Sequence, residues 1–193
     1  MKPIAIFGTG HGFNTPGKRS DGFMENGKVV LKENSVNEAV GNKLSFLYWF
    51  NKVDSYFITN EWHDVPLYER VKRERRIAKE LKRLGQKSVF LSIHADAFHV
   101  KNAATGGRFF YKSEGGRKIA EHLTYYLENN GYDLNLRRPK QANFKMLRDT
   151  SSPAVLFEMG FMTTKSDLEK LVSDEFRNKT ALLLFEGLQK LDL

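Results

Sequence analysis

The sequence predicts an α/β fold, a single domain with a mostly parallel, twisted sheet of about six strands flanked by helices. Short apolar runs alternate along the chain with longer segments of helical spacing. The length of 193 residues suits one domain, and no internal repeat, low-complexity tract or Pro- or Ser-rich linker divides it. We therefore expect one domain over residues 1–193.

The strands are predicted from short apolar runs bounded by turn residues. The first covers residues 4–7 and precedes a polar loop over residues 8–32, whose length is typical of functional loops. A small strand is predicted within this loop, over residues 28–31. The remaining strands are predicted over residues 54–59, 88–97, 106–112 and 153–161.

Helices are predicted where apolar residues recur every three or four positions, as they do from Val36 to Leu47. The predicted helices span residues 33–50, 67–84, 115–130, 167–172 and 173–191. Gly85 and Gly131 are expected to end two of them as C-terminal cap residues. Residues 132–145 are predicted to form a polar, basic loop.

The composition is that of an ordinary globular domain with an excess of positive charge. The net charge is +8, and much of the excess lies in the helix around residues 69–85, which we interpret as a solvated face. Such a surface favours polyanions, namely nucleic acid, anionic membrane or bacterial cell-wall polymers. Because the chain has no cysteine, a metal site has to use His, Asp, Glu or backbone oxygens.

The N-terminal stretch MKPIAIFGTGHG has too short an apolar run for a secretory signal. No apolar stretch approaches the roughly 20 residues that a membrane span needs. We therefore expect synthesis in the cytoplasm without a Sec signal and no membrane insertion. A protein of this kind that acts outside the cell needs another route of release.

Three predicted strands end in an ionisable residue, namely His11, His94 and Glu158. In open α/β sheets, ligands bind at the carboxyl ends of the strands. If these strands are parallel neighbours, the three side chains converge at one edge of the sheet. The glycines on either side of His11 are expected to let the backbone turn tightly and to leave the imidazole clear access to a ligand.

Two histidines and one carboxylate suit a catalytic zinc site, which keeps a fourth position open. Glu25, Glu33 and Glu38 are the candidates for the carboxylate. Glu33 is favoured because it opens a helix immediately after the loop, so that its side chain can turn back toward the sheet edge. Glu158 is then free to act as the general base, and its apolar strand is expected to raise its pKa.

These segments together resemble the zinc-dependent N-acetylmuramoyl-L-alanine amidases of the amidase 3 type. The similarity extends over nearly the whole chain in the right order. It lies in GHG at residues 10–12, KENSVNEAV at 32–40, LYERV at 67–71, SIHADA at 92–97 and PAVLFEMGFM at 153–162. Each motif is weak to moderate alone, whereas several in order are specific.

The resemblance implies a phosphorylase/hydrolase-like fold, one amidase catalytic domain over residues 1–193 and no separate cell-wall-binding domain. It implies hydrolysis of the amide between N-acetylmuramic acid and L-alanine in peptidoglycan. His11, Glu33 and His94 match the Zn²⁺ ligands of the family, and Glu158 matches its catalytic glutamate. The stretch between His11 and the helix that Glu33 opens is longer than is usual in the family, so Glu25 lies nearer the family's common spacing from the first histidine. The helix-opening sequence around Glu33 still favours Glu33 as the ligand.

Arg148, just ahead of the last strand, is a candidate for binding a carboxylate of the stem peptide, and a solvated surface position is the equal alternative. The expected partner is the muramoyl stem peptide of peptidoglycan, with no nucleic acid and no obligate protein partner. A basic amidase without a signal peptide suggests a phage endolysin released by a holin, and a bacterial amidase is the near alternative. A zinc peptidase or other amidohydrolase on the same strands and a basic nucleic-acid-binding module stay open as other functions.

Overall fold

The structure, a computed structural model, describes residues 2–20, 24–25 and 28–192 of the chain. Its strands are β1 (Ile4–Thr9), β2 (Met24–Glu25), β3 (Lys28–Val29), β4 (Ser55–Phe57), β5 (Ser88–Asp96), β6 (Gly107–Tyr111), β7 (Leu136–Gln141) and β8 (Ala154–Phe161). Its helices are α1 (Glu33–Phe50), α2 (Leu67–Arg83), α3 (Glu114–Asn129), α4 (Lys145–Arg148), α5 (Lys165–Leu171) and α6 (Asp174–Gln189).

The main sheet has six strands in the order β4-β1-β5-β8-β6-β7. β4, β1, β5 and β8 are parallel, β6 runs antiparallel to β8, and β7 is parallel to β6. The predicted α/β fold with a mostly parallel sheet is therefore confirmed. β2 and β3 form a separate short antiparallel pair within the loop that follows β1.

Both faces of the sheet are covered, because successive side chains of a strand point to opposite faces. On one face, Leu91 and Phe157 pack into a core with residues of α1, α3 and α6. On the other face, Phe90 and Leu156 pack with residues of α2 and α4. The strand positions that continue this second face toward the carboxyl ends of β5 and β8 are the ones that carry the site.

The starts of the helices follow from local sequence. α1 begins at Glu33, and its buried apolar residues from Val36 to Leu44 recur at helical spacing. An acidic residue in the first turn also interacts favourably with the helix dipole. Ser113 and Ser173 cap α3 and α6 by accepting hydrogen bonds from backbone N–H groups in the first turn. The early start of α1 brings the Glu33 side chain to the edge of the sheet.

The basic helix α2 packs Val71, Ala78 and Leu81 against the sheet. It also buries two charged residues, Arg70 and Glu74, while most of its other basic side chains are exposed. Within the part of the chain that the structure describes, we find no helix with the length and apolarity to cross a bilayer.

The prediction of a loop over residues 132–145 is wrong, because β7 lies inside it, and α4 begins at Lys145. β7 reads LRRPKQ and lies at the edge of the sheet, where among the described strands it pairs with β6 alone. An edge strand tolerates proline and is often rich in charge, which protects the open edge from pairing with other chains. Because β7 has this composition instead of an apolar run, the sequence pattern did not predict it as a strand.

Candidate metal centre and active site

The carboxyl ends of β1, β5 and β8 lie side by side, because these strands are parallel neighbours. His11 follows the end of β1, His94 lies near the end of β5, and Glu158 lies on β8. His94 and Glu158 are register partners on adjacent strands, so their side chains share a face of the sheet. The structure therefore brings the three predicted strand ends together.

His11 lies in a turn and itself has the left-handed backbone conformation, with φ of 62°. Neither Gly10 nor Gly12 has a positive φ. A Cβ at Gly10 would overlap the imidazole of His94, and a Cβ at Gly12 would overlap the backbone of His63 and Asp64. The two glycines are thus needed for close approach by other groups, and the expectation that they supply the tight turn is wrong.

Buried hydrogen bonds hold the end of β1 and the turn that carries His11. Arg70 donates to the carbonyl oxygen of Thr9 at 2.5 Å, to that of Val65 at 2.6 Å and to Asp64 at 2.8 Å. The Thr9 N–H donates to the hydroxyl of Thr59 at 2.7 Å. One buried guanidinium therefore ties the end of β1 to the loop between β4 and α2.

His11, Glu33 and His94 form a compact cluster. Nε2 of His11 lies 3.2 Å from Oε2 of Glu33, and Nδ1 of His94 lies 3.1 Å from Oε1 of Glu33. One potential ligand atom from each residue lies within 4.8 Å of the others. The two imidazole rings meet edge to face, with centroids 5.4 Å apart.

The surrounding groups orient this cluster. The Asn37 amide, one turn beyond Glu33 on α1, donates to Oε1 of Glu33 at 3.3 Å and to the carbonyl oxygen of Gly10 at 3.1 Å. The hydroxyl of Ser92 lies 3.1 Å from Nε2 of His94. Asn37 is buried and was not identified from the sequence, although its position one turn after a candidate ligand was a signal that could have found it.

The protonation states suit metal binding, which needs neutral imidazole and ionised carboxylate. Burial lowers the pKa of His11 from 6.5 to about 4, against the opposing effect of the negative charge of Glu33 and with smaller help from the positive charges around it. Burial alone would raise the pKa of Glu33, but its hydrogen bond to His94 and the charges of both histidines lower it below the ordinary value. At neutral pH, His11 is therefore neutral, with one ring nitrogen free to bind a metal, and Glu33 is ionised.

The donor set fits zinc. Ligand atoms around tetrahedral zinc, at about 2.0–2.1 Å from the ion, lie roughly 3.3 Å from one another. Each histidine lies close to that separation from one oxygen of Glu33, His11 at 3.2 Å from Oε2 and His94 at 3.1 Å from Oε1, and one ligand atom from each of the three residues lies within 4.8 Å of the others. Three protein ligands with nitrogen and oxygen donors leave a fourth position open, which is the pattern of catalytic zinc sites.

Glu158 lies next to this cluster with one carboxylate oxygen uncommitted. Its Oε2 is buried and has no hydrogen-bond partner. Burial, followed by the negative charges of Glu33 and Asp96, raises its pKa well above the ordinary value. A carboxylate in these surroundings binds a proton more readily than one in water, which is the property that a general base near neutral pH requires.

Of the other predicted candidates, Glu38 and Arg148 lie apart from the cluster. Glu38 is one turn further along α1 and accepts a long hydrogen bond from Asn34, at 3.5 Å. The backbone of Glu25 lies in β2, and its side chain is outside the described part of the chain. Arg148 lies before the start of β8, at the opposite end of that strand from Glu158, and bonds Asp149 at 2.8 Å. The structure does not bring Arg148 together with the cluster of His11, Glu33 and His94.

A family model described as N-acetylmuramoyl-L-alanine amidase, Amidase_3, matches residues 6–190 of the chain. Among curated proteins, the N-acetylmuramoyl-L-alanine amidase AmiC of Neisseria meningitidis serogroup B is 24% identical over 233 residues. That alignment covers 98% of this chain and 52% of AmiC. The chain thus spans about half the length of this curated relative.

Solved amidase structures share the fold. The catalytic domain of CwlV, an N-acetylmuramoyl-L-alanine amidase from Bacillus (Paenibacillus) polymyxa var. colistinus, superposes with a TM-score of 0.77 and 25% identity, covering 96% of this chain and 95% of that one. The N-acetylmuramoyl-L-alanine amidase AmiC2 of Nostoc punctiforme gives a TM-score of 0.74 and 25% identity, covering 98% of this chain and 97% of that one. Both similarities extend over essentially the whole described fold.

Proposed function

We propose that the chain, which belongs to the Amidase_3 family of N-acetylmuramoyl-L-alanine amidases, hydrolyses the amide bond between N-acetylmuramic acid and the L-alanine of a peptidoglycan stem peptide. Water adds across this bond: its hydroxyl goes to the muramoyl carbonyl carbon, the C–N bond breaks, and its proton goes to the alanine nitrogen. The observation that carries the proposal is the buried, unpartnered oxygen of Glu158 beside the cluster of His11, Glu33 and His94.

The metal in this proposal is Zn²⁺, held by His11, Glu33 and His94. When bound, zinc polarises the amide carbonyl and lowers the pKa of water at its open position. The protein supplies two imidazoles and one carboxylate, and Asn37 and Ser92 orient Glu33 and His94.

Substitution of the ligands tests this assignment by the zinc content of the purified protein. Glu33→Ala and His94→Ala are expected to lose stoichiometric zinc, while Glu38→Gln, one turn further along the same helix, keeps it. Glu25→Ala is also expected to keep it. Loss of zinc from Glu25→Ala with retention in Glu33→Ala would assign the carboxylate ligand to the loop instead.

Glu158 is the proposed general base. Its free Oε2 accepts a proton from the attacking water, and its raised pKa lets it hold that proton near neutral pH. As the C–N bond breaks, the same carboxyl group donates the proton to the nitrogen of the departing alanine. The residue ends the cycle ionised, as it began.

The activity is tested by incubating the zinc-loaded protein with purified peptidoglycan and measuring new L-alanine amino termini. Glu158→Gln is expected to lose about 10²- to 10⁴-fold in rate, the contribution of a general base, while it still binds zinc. Glu169→Gln, an exposed glutamate on α5, is the matched control and should retain the wild-type rate. Absence of new L-alanine termini across several wall types, with zinc bound, would refute the amidase assignment.

The expected place of action is the cell wall, where the substrate lies. Release by a holin stays a prediction that expression in a bacterial host can test. Lysis that occurs only when a holin is co-expressed supports this route. Lysis without a holin, or secretion of the protein by the host, contradicts it.

A further inference from the structure

Two arginines continue the row of site residues across the sheet. Arg108 on β6 is the register partner of Glu158 on β8, and Arg137 on β7 is the register partner of Arg108. His94 precedes Glu158 in the same row. Register partners project to the same face, so the row runs from the metal ligand through Glu158 to two guanidinium groups.

The two guanidinium groups have hydrogen-bond donors without acceptors. Nε of Arg108 and both Nε and Nη2 of Arg137 are buried and have no hydrogen-bond partner. Buried polar groups are nearly always hydrogen-bonded, and an unpaired charged donor is especially costly. Several unpaired donors on adjacent strands therefore indicate that an acceptor belongs there.

The charge around the pair also favours an anion. Asp96 forms a long ion pair with Arg137, with its Oδ2 3.7 Å from Nη2, and this contact leaves Nε and Nη2 of Arg137 without a hydrogen-bond acceptor. Burial and then the positive charge of Arg108 lower the pKa of Arg137. The Arg137 guanidinium stacks over the ring of Phe161, 4.5 Å from its centroid, which limits its freedom to turn toward solvent.

We propose that Arg108 and Arg137 form a carboxylate-binding subsite that holds the free α-carboxylate of the second stem-peptide residue, D-glutamate. The proposal rests on the proposed amidase function. Neighbouring strands lie about 4.8 Å apart, which puts Arg108 and Arg137 roughly 5 and 10 Å from Glu158 along the row. One peptide residue spans about 3.5 Å, so a carboxylate one residue beyond the scissile amide falls in reach of the pair.

The test uses two N-acetylmuramoyl tripeptides, L-alanyl-γ-D-glutamyl-L-lysinamide with the glutamate α-carboxylate free and the same compound with that group amidated. They differ at one carboxylate only. We expect wild-type kcat/KM to be about 10- to 100-fold higher for the free acid, because charge-assisted hydrogen bonds are strong and planar guanidinium matches carboxylate. Arg108→Gln and Arg137→Gln should lose most of this preference, because their kcat/KM falls much more for the free acid than for the amidated substrate.

Arg138→Gln is the matched control, since Arg138 is an exposed neighbour on β7. It should keep the preference, as should Arg148→Gln. Equal losses on both substrates in the Arg108 and Arg137 variants would mean that the pair acts through Glu158, which overturns the proposal. Loss of the preference in Arg148→Gln alone, or no preference in the wild type, would overturn it as well.

A binding measurement separates this proposal from the proposed function. The tripeptide L-alanyl-γ-D-glutamyl-L-lysinamide and its amidated form are titrated into the zinc-loaded wild type and Arg137→Gln by calorimetry. Tighter binding of the acid to the wild type, lost in the variant, supports the subsite even if neither muramoyl substrate is cleaved. Equal binding of acid and amide to the wild type contradicts it. Arg137→Lys keeps the positive charge but lacks the planar guanidinium group, so it repeats the measurement in a variant with a smaller change than Arg137→Gln.

Discussion

Gly10 tests how the site is built, because the space next to it is filled by the ring of His94, a proposed metal ligand. In Gly10→Ala, the new Cβ would lie 2.6 Å from Nε2 of His94 and closer still to Nδ1 and Cε1. Non-bonded heavy atoms settle at about 3.5 Å or more, and Cε1 of His94 would lie only 2.0 Å from the new Cβ, so the ring has to move by about 1.5 Å. His94 is held by contacts of 3.1 Å to Glu33 and 3.1 Å to Ser92, and a shift of that size breaks at least one of them.

We expect two measurable effects of Gly10→Ala. Overpacking of this kind costs about 1–3 kcal/mol in the free energy of unfolding, which for a domain of this size lowers the melting temperature of the metal-free protein by about 2–12 °C. Zinc affinity should fall by about 10- to 100-fold or more, the loss found when groups that orient metal ligands are removed. Thermal unfolding in the presence of a chelator measures the first effect, and competition with a chromophoric chelator measures the second.

Gly115→Ala is the control, because its Cβ meets only the side chain of Pro153, at 3.1 and 3.2 Å, at the amino end of β8. This variant should bind zinc as the wild type does. If Gly10→Ala binds zinc with wild-type affinity, the cleared space over Gly10 is not needed for ligand geometry, and our explanation of this glycine is refuted.

Three further predictions concern the groups around the cluster. Asn37→Ala removes the amide that donates to Glu33 and to the carbonyl oxygen of Gly10. We expect zinc affinity, measured by chelator competition, to fall about 10- to 100-fold. Unchanged affinity would exclude an orienting role for Asn37. A lysine at position 70 cannot keep the three hydrogen bonds of Arg70, so Arg70→Lys should lower the free energy of unfolding, measured in urea, by about 2–4 kcal/mol. Arg76→Lys, on the exposed face of α2, should change it very little. The pKa of His11 is about 4 in the folded protein against 6.5 ordinarily, so between pH 4 and 6.5 the unfolded chain binds more protons than the folded protein. We therefore expect the free energy of unfolding of the metal-free protein to fall as the pH is lowered from about 6.5 to 4. His11→Asn, which tolerates a positive φ and does not titrate, should have a smaller fall over that range in urea unfolding, and an identical fall would contradict the assignment.

The elements with a strong periodic pattern were predicted closely. The helix predicted over 33–50 is α1, and the buried strand predicted over 153–161 is β8, one residue shorter. β7 was missed because its charges and its proline are those of an edge strand rather than of an apolar run. Because β7 was not predicted, Arg137 was not placed on a strand near Glu158. The candidate for carboxylate binding from the sequence was Arg148.

The sequence by itself determined which residues can do chemistry at the strand ends. His11, His94 and Glu158 follow apolar runs, and parallel strands bring such ends to one edge of a sheet. Helical spacing also put Glu33 at the start of α1, next to that edge.

Only the tertiary structure decided which side chains meet. The distances from Glu33 to both histidines, the row from Glu158 to Arg108 and Arg137, and the ring of His94 above Gly10 all depend on the register between strands that are far apart in the chain. Register is set by how whole strands and helices pack together, and a local pattern of apolar and polar residues does not contain it.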